Sequence, residues 1–309
     1  MSRLALTLRL LLAILCLAVP AWVALTRWSA VVHSHPAYQV LLLLLAAVGV
    51  TLTLRIPTPE PGTGRKVTHL LGSLVLLLLV ATAGWLRPYA ASPPAVEAAA
   101  PSTAVDIREY ATMWELRPTH APLPVGLVFY PGALVDPQAY LALLRPLAEQ
   151  GHQIVVVKPP LGVALLSPFA AGRAFDDHPE VLTWAVGGHS LGGTAAAQAA
   201  GGGDPRVSGL LLWASYPAGD ISGAPVEVLS VTGENDGLTT PEDVERTRAL
   251  LPGTTEFVQV PGAVHAFFGD YGDQAGDGRA TTSREGAQQT IVDRTRAFLD
   301  DLAAPARTP

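Results

Sequence analysis

A chain of 309 residues is long enough for two ordinary domains, or for one domain beside a non-globular part. Its formal net charge of −6 divides unevenly: residues 1–94 hold seven Lys/Arg and a single acid, Glu60, while the rest holds 13 basic and 25 acidic residues. An acidic second region with scattered arginines argues against nucleic acid as a partner, and the single cysteine, Cys16, excludes an intramolecular disulfide or a thiolate metal site within one chain.

Three apolar runs fill the first third, at about residues 4–25, 38–54 and 67–86. Each approaches the ~20 residues an α-helix needs to cross ~30 Å of hydrocarbon, so residues 1–87 are expected to be a membrane region of three transmembrane helices. Trp22, Trp28, Tyr38 and Trp85 sit near segment ends, where amphipathic rings favour the headgroup level. Arg3 and Arg9 flank the first run, and Arg55, Arg65 and Lys66 fill the second connection; the first connection has only Arg27 and the exit only Arg87. Positive residues favour the cytoplasmic side. A multi-pass cell-membrane protein whose soluble part is extracytoplasmic is therefore expected. The first run is long and no convincing small-x-small site follows it, which argues against a cleaved leader. Residues 88–102, rich in Pro and Ala without periodicity, predict an extended, semi-rigid linker.

From about residue 103 the pattern alternates between strand and helix. Residues 105–109 and 111–116 read as an opening antiparallel pair. The apolar runs 125–129, 153–158 and 181–187 read as strands buried on both faces. A helix is expected over 137–150, stopped by Gly151, and a small-residue helix over 192–200. Strands at 207–213, 226–232 and 255–260 surround a helix at 241–251. Thr282 and Glu285 suggest a capping box opening the last helix, whose Ile291, Thr295, Phe298, Leu299 and Leu302 share one face. This alternation predicts one α/β domain over 103–303 on a mostly parallel sheet, with a tail at 304–309. No Gly-x-Gly-x-x-Gly follows the first strand, so a dinucleotide site has no support.

Gly188-His189-Ser190-Leu191-Gly192 matches Gly-x-Ser-x-Gly between a strand and a helix. That setting is what a nucleophile elbow needs, since a sharp turn lifts the serine hydroxyl above the sheet. A serine hydroxyl needs a histidine to take its proton, and the histidine needs a carboxylate to fix its tautomer. The acid should lie just past a late strand. Asp236 does, with Glu234 and Asp220 as fallbacks. The base should follow the final strand, and His265 is the last histidine in the chain. His189 cannot curl back to its own elbow and reads as a packing residue. His120, His152 and His178 read as loop or surface residues, too scattered for a metal site. Backbone donors for an oxyanion are expected at Leu191 and, in the turn Tyr130-Pro131-Gly132-Ala133, at Ala133, with Gly132 as the alternative. The apolar segment 159–177 could roof a pocket or simply be a packed connector. Asp270, Asp273 and Asp277 do not match a calcium loop and read as a solvated turn.

These pieces resemble the α/β-hydrolase superfamily near the dienelactone hydrolases, the branch called the α/β-hydrolase-5 family. The resemblance rests on residues 126–140, on Gly187-Gly-His-Ser-Leu-Gly-Gly193, on 264–272 and on 276–285, and covers roughly 103–302. It implies an α/β-hydrolase fold, a mostly parallel sheet with helices on both faces and a minimal cap, preceded here by the membrane helices. It also implies a Ser190–Asp236–His265 triad. Relatives often carry glycine at position 133, a polar residue at 267 and asparagine at 162, where this chain has Ala133, Phe267 and Gly162. The activity expected is that of a membrane-anchored serine hydrolase cleaving carboxylic esters through an acyl-enzyme. Its partners would be a small-molecule or lipid-like ester and the bilayer, with neither metal nor cofactor. An acyltransferase using the same nucleophile, or a non-catalytic interaction module on a hydrolase scaffold, are the alternatives.

Overall fold

A computed structural model describes residues 3–54 and 63–304, which form two compact units, one of three helices and a second that takes in residues 33–35 and those from Tyr89 onward. The first holds α1 (Arg3–Val32), α2 (Pro36–Leu54) and α3 (Thr63–Trp85). All three are long and apolar enough to cross a membrane. Leu12, Ala13 and Cys16 of α1, Leu42 and Leu45 of α2, and Val80 and Ala83 of α3 are buried, whereas Leu43, Leu44 and Leu78 are more than half exposed. Leucines displayed on that scale suit lipid better than water. Close packing of α1 on α2 depends on Gly49, where a Cβ would come within 2.8 Å of Leu17 Cγ. The Tyr38 hydroxyl donates to the Ala83 carbonyl at 2.8 Å and Arg9 Nε to the Leu52 carbonyl at 2.8 Å, which satisfies polar groups that hydrocarbon cannot.

The first helix runs beyond the apolar run that predicts it. It continues to Val32, broken at Arg27 (φ −143°, ψ 29°), because Ala30 and Val31 past the break are buried and packing carries the helix on. Arg55, one of the residues on which the expected orientation rests, lies outside the described residues.

The second unit opens with α4 (Pro93–Ala98), then β1 (Val105–Glu109), β2 (Met113–Pro118) and β3 (Val125–Tyr130). After a 3₁₀ turn at Pro137–Tyr140 come α5 (Leu141–Glu149), β4 (Gln153–Val157) and α6 (Ala171–Asp177). β5 (Thr183–His189), α7 (Leu191–Ala200), β6 (Val207–Trp213), β7 (Glu227–Gly233), α8 (Pro241–Thr247), β8 (Glu256–Val260) and α9 (Arg284–Ala303) complete it. The eight strands make one sheet in the order β1-β2-β4-β3-β5-β6-β7-β8. β1, β2 and β4 pair antiparallel in succession, and every later pairing is parallel.

Alternation along the strands sorts the core into two layers. Leu127, Phe129, Leu211 and Trp213 join Leu144, Ile291 and Leu299 of α5 and α9 on one face. Val128, Tyr130, Leu210 and Leu212 meet Phe175 of α6 and Ala195 and Ala196 of α7 on the other. The small residues of α7 let it lie close to the strands, which places its first residue at the end of β5.

Residues 88–102 are not an extended linker. The Tyr89 N–H donates to Leu134 O (2.8 Å), Asp136 N–H to Tyr89 O (2.9 Å) and Ser92 N–H to Asp270 O (2.7 Å). Pro93 and Pro94 occupy the first helical positions, where a missing N–H costs nothing, and so they start α4 instead of preventing it. Ala95 is fully buried, and Arg145 Nη1 holds the carbonyls of Ala98 and Ala100.

The last helix begins one residue later than its expected capping box. Ser283 Oγ, not Thr282, takes the Gly286 N–H (3.1 Å), because Thr281 is still bonded to Gly262. His152 and His178 are buried, not on the surface: His152 Nδ1 meets the Val125 carbonyl, and His178 bridges Glu115 and Glu180.

Candidate active site

The chain leaves β5 into Ser190 with φ 54° and ψ −126°, a conformation that costs a non-glycine residue about 1–3 kcal/mol. Its neighbours hold it there. Ser190 N–H donates to the Trp213 carbonyl (3.0 Å), and the Ser190 carbonyl accepts from Ser215 Oγ (2.6 Å) and Gly193 N–H (3.0 Å). The flanking glycines are required by contact: a Cβ on Gly192 would sit 2.1 Å from the Tyr130 carbonyl oxygen, and one on Gly188 2.4 Å from the Gly192 carbonyl carbon. Ser190 itself is half-buried rather than sealed in the core.

Asp236 follows β7 in a loop ended by α8, whose capping box joins Thr240 and Asp243. Its Oδ1 accepts the Leu238 and Thr239 N–H groups at 2.8 and 2.7 Å. Its Oδ2 lies 2.8 Å from His265 Nδ1, with both side chains essentially inaccessible to solvent. A carboxylate can only accept here, so Nδ1 carries the hydrogen and the lone pair of His265 falls on Nε2. That Nε2 is buried and has no hydrogen-bond partner among the described residues. The fallback acids are elsewhere: Glu234 accepts from Gly262 N–H, and the exposed Asp220 from Ser222 N–H.

His189 does more than fill space beside the elbow. Its ring centroid is 4.5 Å from that of His265, and it stacks on Phe268 at 5.9 Å with planes 7° apart. Burial pushes its imidazole well below the usual histidine range, and the nearby His265 pushes the same way. A neutral ring there avoids repelling an imidazolium at His265. Tyr140, also fully buried, accepts the Gly132 N–H (2.9 Å) and sits 2.9 Å from His189 Nδ1. Gly132 N–H is thereby occupied. Among the described residues no hydrogen bond takes up the Ala133 or the Leu191 N–H, and both residues are half-buried.

The 159–177 segment divides. Pro168 and Ala171 are pinned by the Tyr130 hydroxyl (2.6 and 2.9 Å), and α6 packs onto the sheet, leaving Leu165, Leu166 and Phe169 exposed. Of the three aspartates expected in a solvated turn, only Asp273 is exposed. Asp270 is buried against Gln288, and Asp277 bonds the backbone at His265 and Ala266. Sequence reading misses the parts played by Tyr140 and Asp277 because nothing local marks them: Tyr140 meets the Gly132 N–H and the His189 ring, and Asp277 the N–H groups of His265, Ala266 and Gly237, only in the folded chain. Among the described residues no three His, Cys, Asp or Glu side chains converge as metal ligands.

The sequence profile of the alpha/beta hydrolase family matches residues 126–290, from β3 into α9. No curated relative matches the chain. Among solved structures, a putative dienelactone hydrolase from Klebsiella pneumoniae is similar over 63% of this chain and 98% of its own, at 17% identity and a TM-score of 0.48. A hyperthermophilic esterase from the archaeon Pyrobaculum calidifontis is similar over 69% of this chain and 90% of its own, at 18% identity and a TM-score of 0.50. Likeness at that identity speaks to the fold alone. The family match takes in more than half of the chain, including the elbow and the loops after β7 and β8, and the chain belongs to the alpha/beta hydrolase family.

Proposed function

We propose that this chain is a membrane-anchored serine hydrolase of carboxylic esters, with Ser190 as nucleophile, His265 as base and Asp236 as its orienting acid. The observation that carries the reading is the buried Asp236–His265 pair, whose His265 Nε2 lone pair has no partner among the described residues and whose ring lies 4.5 Å from that of His189, the neighbour of the strained, half-buried Ser190. Nε2 removes the Ser190 hydroxyl proton as Oγ attacks the ester carbonyl carbon. The Leu191 and Ala133 N–H groups receive the developing oxyanion, a contribution of about 3–4 kcal/mol for each such donor. The imidazolium returns its proton to the departing alkoxide. Water, deprotonated by the same Nε2, then releases the acid from the acyl-enzyme. Asp236 keeps the proton of His265 on Nδ1 throughout.

Three apolar helices on the same chain support a bilayer anchor, and the placing of Arg and Lys supports an extracytoplasmic catalytic unit. Small-molecule or lipid-like esters are the substrates this location and chemistry suit. The test is labelling of the full-length protein in detergent with a fluorophosphonate. The wild type should be modified at Ser190 and Ser190→Ala should not; a folded wild type that stays unlabelled overturns the assignment.

A further inference from the structure

Asp277 lies in the excursion between the His265 turn and α9, and its carboxylate gathers backbone N–H groups from three places. Oδ1 accepts from His265 (3.0 Å), Gly278 (2.7 Å) and Gly237 (3.3 Å), and Oδ2 from Ala266 (2.8 Å). Two of these donors start the turn that carries the proposed base. A third, Gly237, immediately follows the proposed acid. The backbones themselves are in contact here: a Cβ on Gly278 would lie 1.7 Å from the Asn235 carbonyl oxygen, and one on Gly237 2.7 Å from Gly278 N. Nothing broader than a carboxylate on this short side chain could serve four donors at once, since an amide offers one oxygen and turns a donor toward the rest.

We infer that Asp277 is a positioning residue, clamping the loop that bears Asp236 to the loop that bears His265 so that their 2.8 Å hydrogen bond keeps its register. The inference rests on the reading of Ser190, Asp236 and His265 given above. Asp277 touches neither substrate nor the reacting atoms; it acts through the backbone at His265 and Gly237. Reaction geometry tolerates little drift, and a displacement of about 1 Å costs on the order of 100-fold in rate.

The experiment measures fluorophosphonate labelling of full-length protein in detergent as a function of probe concentration and pH, for wild type, Asp277→Asn, Asp277→Ala, Asp273→Asn and Ser190→Ala. Asp273→Asn makes the same charge change on the exposed neighbour in this excursion and should match the wild type. Asp277→Asn should lower the maximal labelling rate by about 100-fold, shift its pH profile, and move the half-saturating probe concentration less than about threefold. Asp277→Ala should lose more. A folded Asp277→Asn with a maximal rate within about threefold of wild type and an unchanged pH profile overturns the clamp. Hydrogen–deuterium exchange of the wild type decides the matter if neither variant folds: the amides of Gly237, His265 and Ala266 should exchange slowly together, and free exchange at them overturns the proposal. Labelling that persists in Ser190→Ala defeats the hydrolase reading itself, whereas loss in Ser190→Ala with normal Asp277→Asn defeats only the clamp.

Discussion

Replacing Asp236 by asparagine changes one atom's chemistry and leaves the side chain's shape intact. Oδ1 serves two backbone N–H groups, Leu238 and Thr239, so the asparagine oxygen must stay on that side. Turning the amide over would leave both donors unsatisfied, at about 1–3 kcal/mol each. The NH₂ group therefore faces His265 Nδ1, which in the native pair donates at 2.8 Å. Two donors cannot share that contact, and the ring proton moves to Nε2, the atom proposed to accept from Ser190. The base is then in the wrong tautomer. Loss of a correctly oriented histidine is worth about 10⁴ in kcat, close to 5.4 kcal/mol at 1.36 kcal/mol per tenfold. Steady-state hydrolysis of a chromogenic short-chain ester by full-length protein measures it, beside a thermal melt to show that the fold is kept. An Asp236→Asn variant with kcat within tenfold of wild type would refute the tautomer argument, and with it the assignment of Asp236.

Two further outcomes follow from parts of the molecule away from the hydroxyl. The hydrogen bond to Glu115 raises the pKa of buried His178, and although burial pushes Glu115 up, its bonds to His178 and Arg117 bring it below the ordinary range. A raised histidine adds stability that is complete below its unfolded value of about 6.5 and is lost as pH climbs through the folded one. Wild-type melting temperature should therefore fall as pH rises above about 6.5, and His178→Gln should lack that component; identical pH dependence in the two proteins contradicts it. Residues 89–102 are part of the catalytic unit, so a soluble fragment starting at Tyr89 should melt higher and label faster than one starting at 103, which loses the Tyr89 and Ser92 hydrogen bonds and uncovers the Ala95 contact. Equal stability of the two fragments would show that α4 contributes nothing.

Much of this architecture is legible residue by residue. Strands such as Val125–Tyr130 are almost wholly apolar because both faces of a central strand are covered, and the glycines around Ser190 announce an approach too close for a Cβ. Asp236 and His265 can be named because each stands just past a late strand, where a side chain reaches over the sheet's edge. The Pro/Ala composition of 88–102 misleads, since the same two prolines that favour an extended chain also fit the first turn of a helix, and burial of Ala95 decides between them. Periodicity likewise does not show how far α1 runs past its apolar stretch.

By itself the sequence determines the order of the elements, the three apolar helices and the Gly-x-Ser-x-Gly turn at Ser190, and it singles out the carboxylate and the histidine proposed to serve that serine. Those are local properties: hydropathy, spacing and the steric demands of glycine and proline act within a few residues. Only the tertiary structure decides which nitrogen of His265 has no partner among the described residues, that Tyr140 occupies the Gly132 amide while no described residue takes up that of Ala133, that His189 lies ring to ring with His265, and that Asp277 accepts N–H groups from the loops of both His265 and Gly237. Each of these is a hydrogen bond or ring contact between residues that are not neighbours in the chain, and no local pattern records a partner that arrives only when the sheet is assembled.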